Sequence, residues 1–422
     1  MKIQNIKGTQ DIFGNTAIQY QKIENLLITL AEKYGYSEFR TPILEYKKLF
    51  VRENDSSDIV QKQMYCLYDM GKRELALRPE GTPGVMRCVI NSNLYKNISR
   101  IKAYYLGNFF RYERPKKFSY RQFTQFGIEN IGNDNVYCDI ETILLGFNIL
   151  KQLGFKKIVL KINSLGDLES QKKYKNKLKN FFASHINCMC ADCKKRFLQN
   201  PMRILDCKNE EDKKIIKNAP KITDSLNNNS LLKFQKILDL LKKLKITYVI
   251  DYFLVRGLDY YTHIVYEFFV NNEETAVGGG GHYDYLAQEI GEIELTGTGF
   301  SFGIERILMS LQKENLILCA KEINIEIIPI NTNNFEKCFS VAEKIRKNTN
   351  FKTDIIFEKQ KIKTLLSKAQ KNETDFIIII GDKEEKNKNI TVKNMKTKEE
   401  ITVSDNEIEK FFDSLYKNMD QK

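Results

Sequence analysis

This chain of 422 residues has no membrane-spanning segment, few histidines and no P-loop, and these gaps narrow the classes of protein to which it can belong. It has no stretch of about 18 consecutive apolar residues, which excludes a transmembrane helix. Its N-terminal sequence, MKIQNIKGTQDIFG, has no apolar core of the signal-peptide type. We therefore expect a cytoplasmic protein that has no membrane partner.

Histidine is scarce, which narrows the possible chemistry. His185, His263 and His282 are the only three, and none lies in a sequence arrangement typical of a Ser or Cys catalytic triad. We therefore expect arginines and carboxylates to carry any chemistry, by positioning substrates and stabilising charge. Such an inventory fits phosphoryl or nucleotidyl transfer.

A P-loop is also missing. The glycine run at 278–281 is followed by no Lys-Ser or Lys-Thr pair, so that phosphate-binding motif is excluded. We expect these glycines to let another group approach the backbone closely.

Nine cysteines are present without a secretory signal, which favours reduced thiols over a disulfide framework. One cluster also has metal-ligand character, because CADC has the CxxC spacing that can hold zinc. A second well-spaced pair is missing, so we expect no metal and leave a metal at this cluster as the alternative. The cluster comprises His185, Cys188, Cys190, Cys193 and Cys207.

The charge balance is basic, with a net charge of +13 and a pI near 9.0. Such a balance favours a polyanionic partner, either nucleic acid or an anionic membrane. A composition rich in Lys, Asn and Ile produces the same balance with no partner, so charge alone leaves both interpretations open.

The pattern along the chain predicts an α+β body, an insertion and a second domain. Residues 17–34 have helical periodicity, whereas YSEFRTPILE reads as one strand through a proline, at an edge or interface. A Lys-rich helical texture over about 167–242 indicates an insertion into a body that spans 1–322. In 323–422, short strands alternate with helices, which predicts a small α/β domain with parallel strands.

The stretch GNFFRYERPKKFSYRQFTQFGIEN, residues 107–130, alternates aromatic and charged residues around a turn. Period-two alternation places one polar, two-signed set on a single face of the hairpin. Arginine forks suit phosphate or carboxylate, a flanked phenylalanine suits a planar base, and acids suit an amine. The face thus predicts a nucleotide site beside an amino-group site; a solvated strand face crossed by salt bridges is the alternative. Its members are Phe109, Arg111, Glu113, Arg121, Phe123, Gln125 and Glu129.

Two further arginines are candidate site residues. GFSFGIER delivers Arg306 to the first turn of a helix, where the dipole disfavours a cation, so it is expected to meet an anion. LVRGLDYYTH places Arg256 before Tyr260 and Tyr261, whose hydroxyls can select a polar substrate. A surface arginine and a strand packed through its aromatics are the respective structural alternatives.

Taken in order, these segments resemble the histidyl-tRNA synthetase family of class II aminoacyl-tRNA synthetases nearly end to end. GYSEFRTPILE is similar to the class motif 1, FRYER followed by Phe123 to motif 2, and GFSFGIER to motif 3. LRPEGTPGVMR, LVRGLDYY and GGGGHYDYL resemble segments specific to the histidine enzymes. The resemblance implies a six-stranded antiparallel sheet with flanking helices, a helical insertion and a C-terminal α/β anticodon-binding domain.

The resemblance also implies an activity and its partners. Histidine would be activated with ATP to histidyl-adenylate and pyrophosphate, and then transferred to the 3' end of its tRNA. Mg²⁺ would accompany the ATP, and motif 1 would form a homodimer interface.

Roles carry over residue by residue as implications of the resemblance. Arg111 would hold the α-phosphate of ATP and the histidine carboxylate, and Arg256 would offset charge at the same phosphate as that carboxylate attacks. Adenine would lie against Glu113, Phe123 and Arg306, the last also near the γ-phosphate. The histidine amino group and part of its side chain would be held by Glu80, Thr82, Gln125 and Glu129. The imidazole pocket would be lined by Tyr260, Tyr261 and Tyr283.

The sequence departs from the family pattern at three places that bear on function. His282 stands where the family often has Arg, Tyr285 where Gly is usual, and the loop RPKKFSYRQ differs from the commoner form. The loop shape around His282 and the tRNA contacts of the motif 2 loop are therefore left without a prediction.

Two functions compete with the enzyme. A regulatory paralogue that binds histidine would lack the C-terminal domain and the catalytic arginines, whereas Arg111, Arg256 and Arg306 are all present here. A bare tRNA-binding module would leave the Arg/Glu/Phe set unexplained.

Overall fold

The structure is a computed structural model, and it consists of two compact units, residues 1–318 and 319–422. It describes residues 3–51, 57, 59–113, 119–316, 323–358 and 360–420. Within these ranges, no helix combines the length and apolar character needed to cross a membrane.

The first unit contains eleven strands and ten α-helices in its described residues. Its strands are β1 (Ser37–Glu38), β2 (Leu44–Tyr46), β3 (Tyr65–Tyr68), β4 (Glu74–Leu77), β5 (Ile101–Phe110), β6 (Gln122–Ile131), β7 (Ile158–Gly166), β8 (Tyr248–Ile250), β9 (Thr262–Val270), β10 (Gly278–Tyr283) and β11 (Gly297–Gly303). Its helices are α1 (Gly14–Lys33), α2 (Thr82–Asn91), α3 (Leu94–Asn97), α4 (Val136–Gln152), α5 (Leu168–Ala183), α6 (Ala191–Gln199), α7 (Glu210–Ile216), α8 (Asn228–Lys243), α9 (Leu286–Gly291) and α10 (Ile304–Lys313). Short 3₁₀ turns cover Lys47–Leu49, Ile186–Cys188, Pro201–Asp206 and Ile222–Ser225, and a π turn covers Ile59–Gln63.

Eight of these strands form one large sheet in the order β1-β5-β6-β11-β10-β9-β7-β8. In this order, all neighbours among the six central strands β5, β6, β11, β10, β9 and β7 pair antiparallel. The short edge strands β1 and β8 pair parallel with β5 and β7, respectively. The predicted six-stranded antiparallel sheet with flanking helices is therefore confirmed, with two edge strands added. The strands β2, β4 and β3 form a separate antiparallel sheet.

Alternation along the strands gives the large sheet two buried faces. Phe126 and Ile128 of β6 point to one face, where α1, α4, α8 and α10 cover a core of apolar side chains. Tyr105 and Phe109 of β5 point to the other face, where α2 and α5 pack. Period-two alternation accounts for this division, because successive side chains of a strand leave it on opposite sides.

The prediction of one strand through YSEFRTPILE is wrong. β1 ends at Glu38 and joins the large sheet, whereas β2 begins at Leu44 and joins the small sheet. Pro42 lies between them, and a residue without an N–H cannot continue a hydrogen-bonded ladder. The chain therefore changes sheets at the proline.

Between β7 and β8 the chain runs through four helices, α5 to α8, which include most of the Lys-rich region. Asp167 caps α5 by accepting a hydrogen bond of 2.9 Å from the backbone N–H of Ser170. Asn209 and Asn227 cap α7 and α8 in the same way. Such caps satisfy N–H groups that a helix leaves unpaired at its start.

The second unit is an α/β domain. Its strands are β12 (Asn324–Pro329), β13 (Lys352–Ile355), β14 (Phe376–Ile380), β15 (Asn389–Asn394) and β16 (Glu400–Ser404). Its helices are α11 (Phe335–Asn348), α12 (Ile362–Lys371), α13 (Asp382–Lys386) and α14 (Ile408–Asp420), with a 3₁₀ turn at Thr332–Asn334. The strand order is β13-β12-β14-β15-β16. β13, β12 and β14 pair parallel, whereas β15 pairs antiparallel with both β14 and β16. The parallel strands follow the predicted pattern, and the β15–β16 hairpin was not predicted.

Candidate active site

A cavity of about 370 Å³ opens in the first unit, on the face of the large sheet that also carries α2. Its volume is in the range of small-molecule sites. It is lined by all twelve residues to which the family resemblance assigned a role: Glu80, Thr82, Arg111, Glu113, Phe123, Gln125, Glu129, Arg256, Tyr260, Tyr261, Tyr283 and Arg306. Segments almost 230 positions apart in sequence thus meet in one place.

The base of this cavity is the surface of the large sheet, where the pairing of the strands places two carboxylates opposite glycines. Glu129 of β6 lies opposite Gly299 of β11, and Glu267 of β9 lies opposite Gly279 of β10. A Cβ atom on Gly299 would come within 2.3 Å of a Glu129 carboxylate oxygen, and one on Gly279 within 2.8 Å of Arg256 Nη1. The glycines therefore leave room for these charged side chains to lie on the sheet, which was expected for Gly279 from the glycine run but not for Gly299.

Glu129 is the most deeply buried carboxylate of the cavity, with 2% of its surface exposed. Thr82 Oγ1 donates to its Oε1 at 2.6 Å, and Tyr283 Oη donates to its Oε2 at 2.7 Å. Burial raises the pKa of Glu129 to about 8, although both hydrogen bonds act in the opposite direction. The site therefore favours a cation that would keep this carboxylate ionised.

Glu80 and Gln125 extend the polar wall. Tyr260 Oη donates a hydrogen bond of 2.7 Å to Glu80 Oε2, and Gln125 Nε2 donates to Tyr105 Oη at 3.1 Å. Burial raises the pKa of Tyr260 well above its usual value, so its hydroxyl remains a donor. Two tyrosine–carboxylate pairs, with Glu80 and Glu129, thus hold the acidic groups in fixed positions.

Arg111 lies just past the end of β5. Its Nε donates to the carbonyl of Pro79 at 2.9 Å, and its guanidinium carbon lies 5.2 Å from the ring centroid of Phe123. Burial lowers the pKa of Arg111, but an arginine stays protonated at neutral pH in any case. Its Nη groups have no hydrogen-bond partner among the described residues and are available to an anion.

Two members of the predicted hairpin face lie outside the cavity. Phe109 is fully buried in the core beneath it, with the guanidinium of Arg78 4.4 Å from its ring. Arg121 was expected on the same face as Arg111, but its guanidinium carbon lies 3.8 Å from the ring centroid of Tyr112. The strands end at Phe110 and begin again at Gln122, so period-two alternation does not extend to the turn.

Arg256 follows β8 in a loop and reaches over the sheet. Its Nη1 donates to Oε1 of Glu267 in an ion pair that is about four-fifths buried. Burial alone would lower the pKa of Arg256, but the charge of Glu267 outweighs it and the pKa is raised. Its Nε is buried without a partner among the described residues.

Arg306 lies in the first turn of α10 and faces the same cavity. Its Nη1 donates to the carbonyl of Ala276 at 3.0 Å. The neighbouring Glu305 accepts the backbone N–H of Thr124 at 2.7 Å, which joins the start of α10 to β6. The helix start and the hairpin strand are thereby held together at the edge of the site.

Sequence reasoning missed several residues that line the cavity: Tyr105, Arg203, Asp206, Lys208 and Glu267. Glu267 could have been found from the sequence, because it is the only charged residue among the apolar and aromatic residues IVYEFFV of β9. The sequence around Arg203 does not distinguish it, because many other basic residues lie in the same Lys-rich region. Arg203 donates through Nη1 to the carbonyl of Arg256, and that contact is visible only in three dimensions.

Of the three departures from the family pattern, two lie at or next to β10 and one lies in the hairpin loop. Tyr285 adopts φ −110°, a conformation open to any residue, so the usual glycine is not required. His282 is buried, with Nδ1 3.0 Å from Asp139 and Nε2 2.9 Å from Asp284. The differing loop tip, residues 114–118, lies outside the described residues.

Comparisons with known proteins agree with the geometry. Residues 8–307 match the family described as Histidyl-tRNA synthetase, and residues 324–415 match the Anticodon binding domain. A histidine–tRNA ligase of Anoxybacillus flavithermus is 40% identical over 411 residues, 96% of this chain and 97% of that protein. One of Staphylococcus epidermidis is 41% identical over 416 residues, covering 97% and 98%. The crystal structure of apo S. aureus histidyl-tRNA synthetase aligns with a TM-score of 0.81 and 36% identity, over 98% of this chain and all of that one.

Proposed function

This chain belongs to the histidyl-tRNA synthetase family and is a histidine–tRNA ligase, and we propose that the cavity described above is where ATP and histidine react. The observation that carries this proposal is the convergence of three arginines and two buried carboxylates in one cavity. The arginines are those expected to meet phosphates, and the carboxylates are those expected to meet an ammonium group.

In the first step, a carboxylate oxygen of histidine attacks the α-phosphorus of ATP. A bond forms between that oxygen and phosphorus, the bond to the bridging oxygen breaks, and pyrophosphate leaves with the electron pair. Negative charge accumulates on the α-phosphate as this happens. Arg111 follows β5 and Arg256 follows β8, near opposite edges of the large sheet, and both line the cavity. We propose that they stabilise that charge, which is usually the largest single contribution to catalysis.

Histidine is proposed to bind over the base of the cavity. Its ammonium group would pair with Glu129 and Glu80, because these carboxylates are held ready by Tyr283 and Tyr260. Ionisation of Glu129 in the presence of a cation offsets the burial that otherwise favours its neutral form. Thr82, Gln125 and Tyr261 complete the surface around the amino acid, with Tyr261 beside the imidazole.

Adenine is proposed to lie against Phe123, where Arg111 already stacks on the ring. Arg306 would cover the other face of the base and reach the γ-phosphate, and Glu113 would meet the base edge. Arginine suits both tasks, since its planar guanidinium stacks on rings and binds phosphate oxygens.

Mg²⁺ is proposed to accompany the ATP. Such ions bind chiefly through substrate phosphates with one or two protein carboxylates. Asp206 fits this role, because its exposed carboxylate lines the cavity and accepts no hydrogen bond from the part of the chain that the structure describes. The ion would neutralise phosphate charge there.

In the second step, a hydroxyl of the terminal ribose of tRNA attacks the histidyl carbonyl, and AMP leaves. The segment over about 167–242, which we propose as a helical insertion into a catalytic domain of residues 1–322, is suited to tRNA. It has 17 lysines and arginines against nine carboxylates, a net charge of +8 out of +13 for the chain. Residues 323–422 are proposed to bind the anticodon, since residues 324–415 match the anticodon-binding family. We also propose that the enzyme is cytoplasmic.

The small sheet supports the proposal of a homodimer. Its pairing aligns Leu44, Tyr46 and Leu67 with partly buried leucines on one outer face, and each of the three is about 40% exposed or more. An apolar face of this kind is typical of an interface core. A second copy of the chain is the partner that the resemblance of motif 1 implies.

Histidine-dependent exchange of labelled pyrophosphate into ATP tests the proposed reaction. We expect exchange with histidine and none with other amino acids. A protein that binds histidine in equilibrium dialysis and gives no exchange would instead be a regulatory subunit, and the proposal would be overturned.

A further inference from the structure

Four metal-ligating side chains come together within the region between β7 and β8, apart from the cavity. They are Cys190, Cys193, Cys207 and Asp212, and their sulfur and carboxylate oxygen atoms all lie within 4.8 Å of one another. Cys193 and Cys207 are buried, at 0% and 7% exposure. The expectation of incidental thiols offers no reason for four such groups to meet.

We infer that Cys190, Cys193, Cys207 and Asp212 form a structural zinc site. Zn–S bonds of about 2.3 Å at tetrahedral angles place two sulfurs about 3.8 Å apart. The Sγ atoms of Cys190 and Cys207 are 3.8 Å apart. Cys207 Sγ and Asp212 Oδ2 are 3.2 Å apart, close to the roughly 3.5 Å expected for a sulfur and an oxygen on one zinc ion.

The local structure presents these ligands as zinc sites usually do. Cys190 precedes α6 as its N-cap and Cys193 lies in the first turn, so CADC turns both thiols to one side. Cys207 follows the 3₁₀ turn Pro201–Asp206, and Asp212 lies in the first turn of α7. The backbone N–H of Asn209 donates to Cys207 Sγ at 3.4 Å, a contact that would stabilise a thiolate ligand.

The four groups do not match two other uses of the same thiols. A disulfide requires sulfurs about 2.05 Å apart, far less than the separation of Cys190 and Cys207. An iron–sulfur cluster is usually held by four cysteine thiolates, whereas this set has three thiols and a carboxylate. Three thiolates and one carboxylate in a closed set suit zinc, which prefers soft ligands and four-coordinate geometry.

The site would also act on the cavity, because Cys207 lies between two cavity residues. Asp206 and Lys208 line the cavity, and Arg203, four residues before Cys207, donates to the carbonyl of Arg256. A metal at Cys207 would fix the end of the 3₁₀ turn that carries Arg203. Zinc is thus expected to order one wall of the active site without touching substrate.

Zinc content tests the inference directly. The full chain, purified with a phosphine reductant and no chelator, is expected to carry about one zinc per chain by elemental mass spectrometry. Cys193→Ser and Cys207→Ser are expected to lose it, and Asp212→Cys to retain it. Cys188→Ser is the matched control, because Cys188 lies in the same CMCADC run but is exposed and outside the cluster.

Cobalt provides a measurement on the unaltered chain, in case a serine variant does not fold. After chelation, wild-type protein reloaded with Co²⁺ is expected to show the sulfur-to-cobalt charge transfer and intense visible bands of a tetrahedral thiolate site. Wild-type protein that takes up neither zinc nor cobalt overturns the inference. So does a loss of metal in Cys188→Ser equal to that in Cys193→Ser. Neither result depends on ligase activity.

Discussion

The hydroxyl of Tyr283 donates a hydrogen bond of 2.7 Å to Oε2 of Glu129 at the base of the cavity. Thr82 donates to the other carboxylate oxygen, and no cation contacts either oxygen among the residues that the structure describes. Burial nevertheless raises the pKa of Glu129 to about 8. The carboxylate is thus arranged for a ligand that brings its own positive charge, as histidine does.

Tyr283→Phe is expected to raise the KM for histidine by about 10-fold or more, because a hydrogen bond to a charged group contributes roughly 1.5–3 kcal/mol. Losing the donor raises the pKa of Glu129 further and leaves less of the anion that meets the ammonium group. Pyrophosphate exchange at varied histidine concentrations measures the effect. Tyr266→Phe is the control, since Tyr266 is equally buried but lies on the opposite face of the sheet. An equal rise in both variants would contradict the assignment.

Glu129→Gln is expected to lower kcat/KM for histidine and to remove the part of its pH dependence that comes from the ionisation of Glu129. In the wild type, Glu129 is protonated below about pH 8 in the empty site, so kcat/KM should rise with pH and level off above that value. The titration of free histidine is common to both enzymes and cancels in the ratio of wild type to variant. That ratio should increase between pH 6 and 8. A ratio that is constant over this range would show that Glu129 does not control histidine binding.

Cavity residues could be predicted from the sequence where a short segment reveals both the side chain and its place in a strand or helix. Arg111 and Glu129 lie in one hairpin with regular alternation, and Arg306 lies at a strand-to-helix junction. Tyr260 and Tyr261 follow Arg256 directly. In each case local periodicity or family resemblance located the side chain within its segment, and the fold brings these segments together in the cavity.

Contacts between distant segments could not be predicted. The pairing of Arg256 with Glu267 depends on where a loop crosses a strand, and its contact with Arg203 depends on how a helical region packs. The break at Pro42 and the displacement of Arg121 have a local cause, because regular strand geometry stops there. Alternation describes a strand only between its ends.

Arg256→Ala is expected to reduce the rate of adenylation by about 10²- to 10³-fold, the usual effect of removing one preorganised charge-stabilising donor. It also leaves Glu267 unpaired in a mostly buried site, which should lower thermal stability. The double variant Arg256→Met with Glu267→Gln removes that unpaired carboxylate. We expect it to regain stability and to remain inactive in single-turnover assays. Activity that returns together with stability would make Arg256 a structural residue only.

Leu67→Asp or Tyr46→Asp is expected to convert a homodimer into monomers, because either places a charge within the apolar face of the small sheet. Sedimentation velocity across a range of concentrations measures the change. Leu232→Asp is the control, since Leu232 is 70% exposed on α8, a helix that packs on the large sheet. If the wild type sediments as a monomer, or if Leu232→Asp dissociates it equally, the small sheet is not the dimer interface.

His282 replaces the arginine that the family often has after the glycines, and the structure surrounds it with acids. Asp139 and Asp284 contact its two ring nitrogens, and Asp134 lies 3.6 Å away with its own partner, Lys233. His263 packs edge-on, with ring centroids 5.5 Å apart. Burial lowers the pKa of His282, but Asp139 and Asp284 outweigh it and raise the pKa to about 10. The imidazolium thus supplies the positive charge that an arginine would supply.

We predict that one of the three histidine side chains stays protonated until about pH 10, and that this is His282. Labelling the histidine ring carbons and following their NMR shifts with pH measures it, with His282→Gln identifying the signal. Because folding raises this pKa from about 6.5, its stabilisation is complete below pH 6.5 and is lost as the pH rises to about 10. The deficit in thermal stability of His282→Gln should therefore be largest near pH 6.5 and shrink toward pH 10. A deficit that is constant with pH, or three histidines that all titrate below pH 8, would show that His282 is not a buried cation.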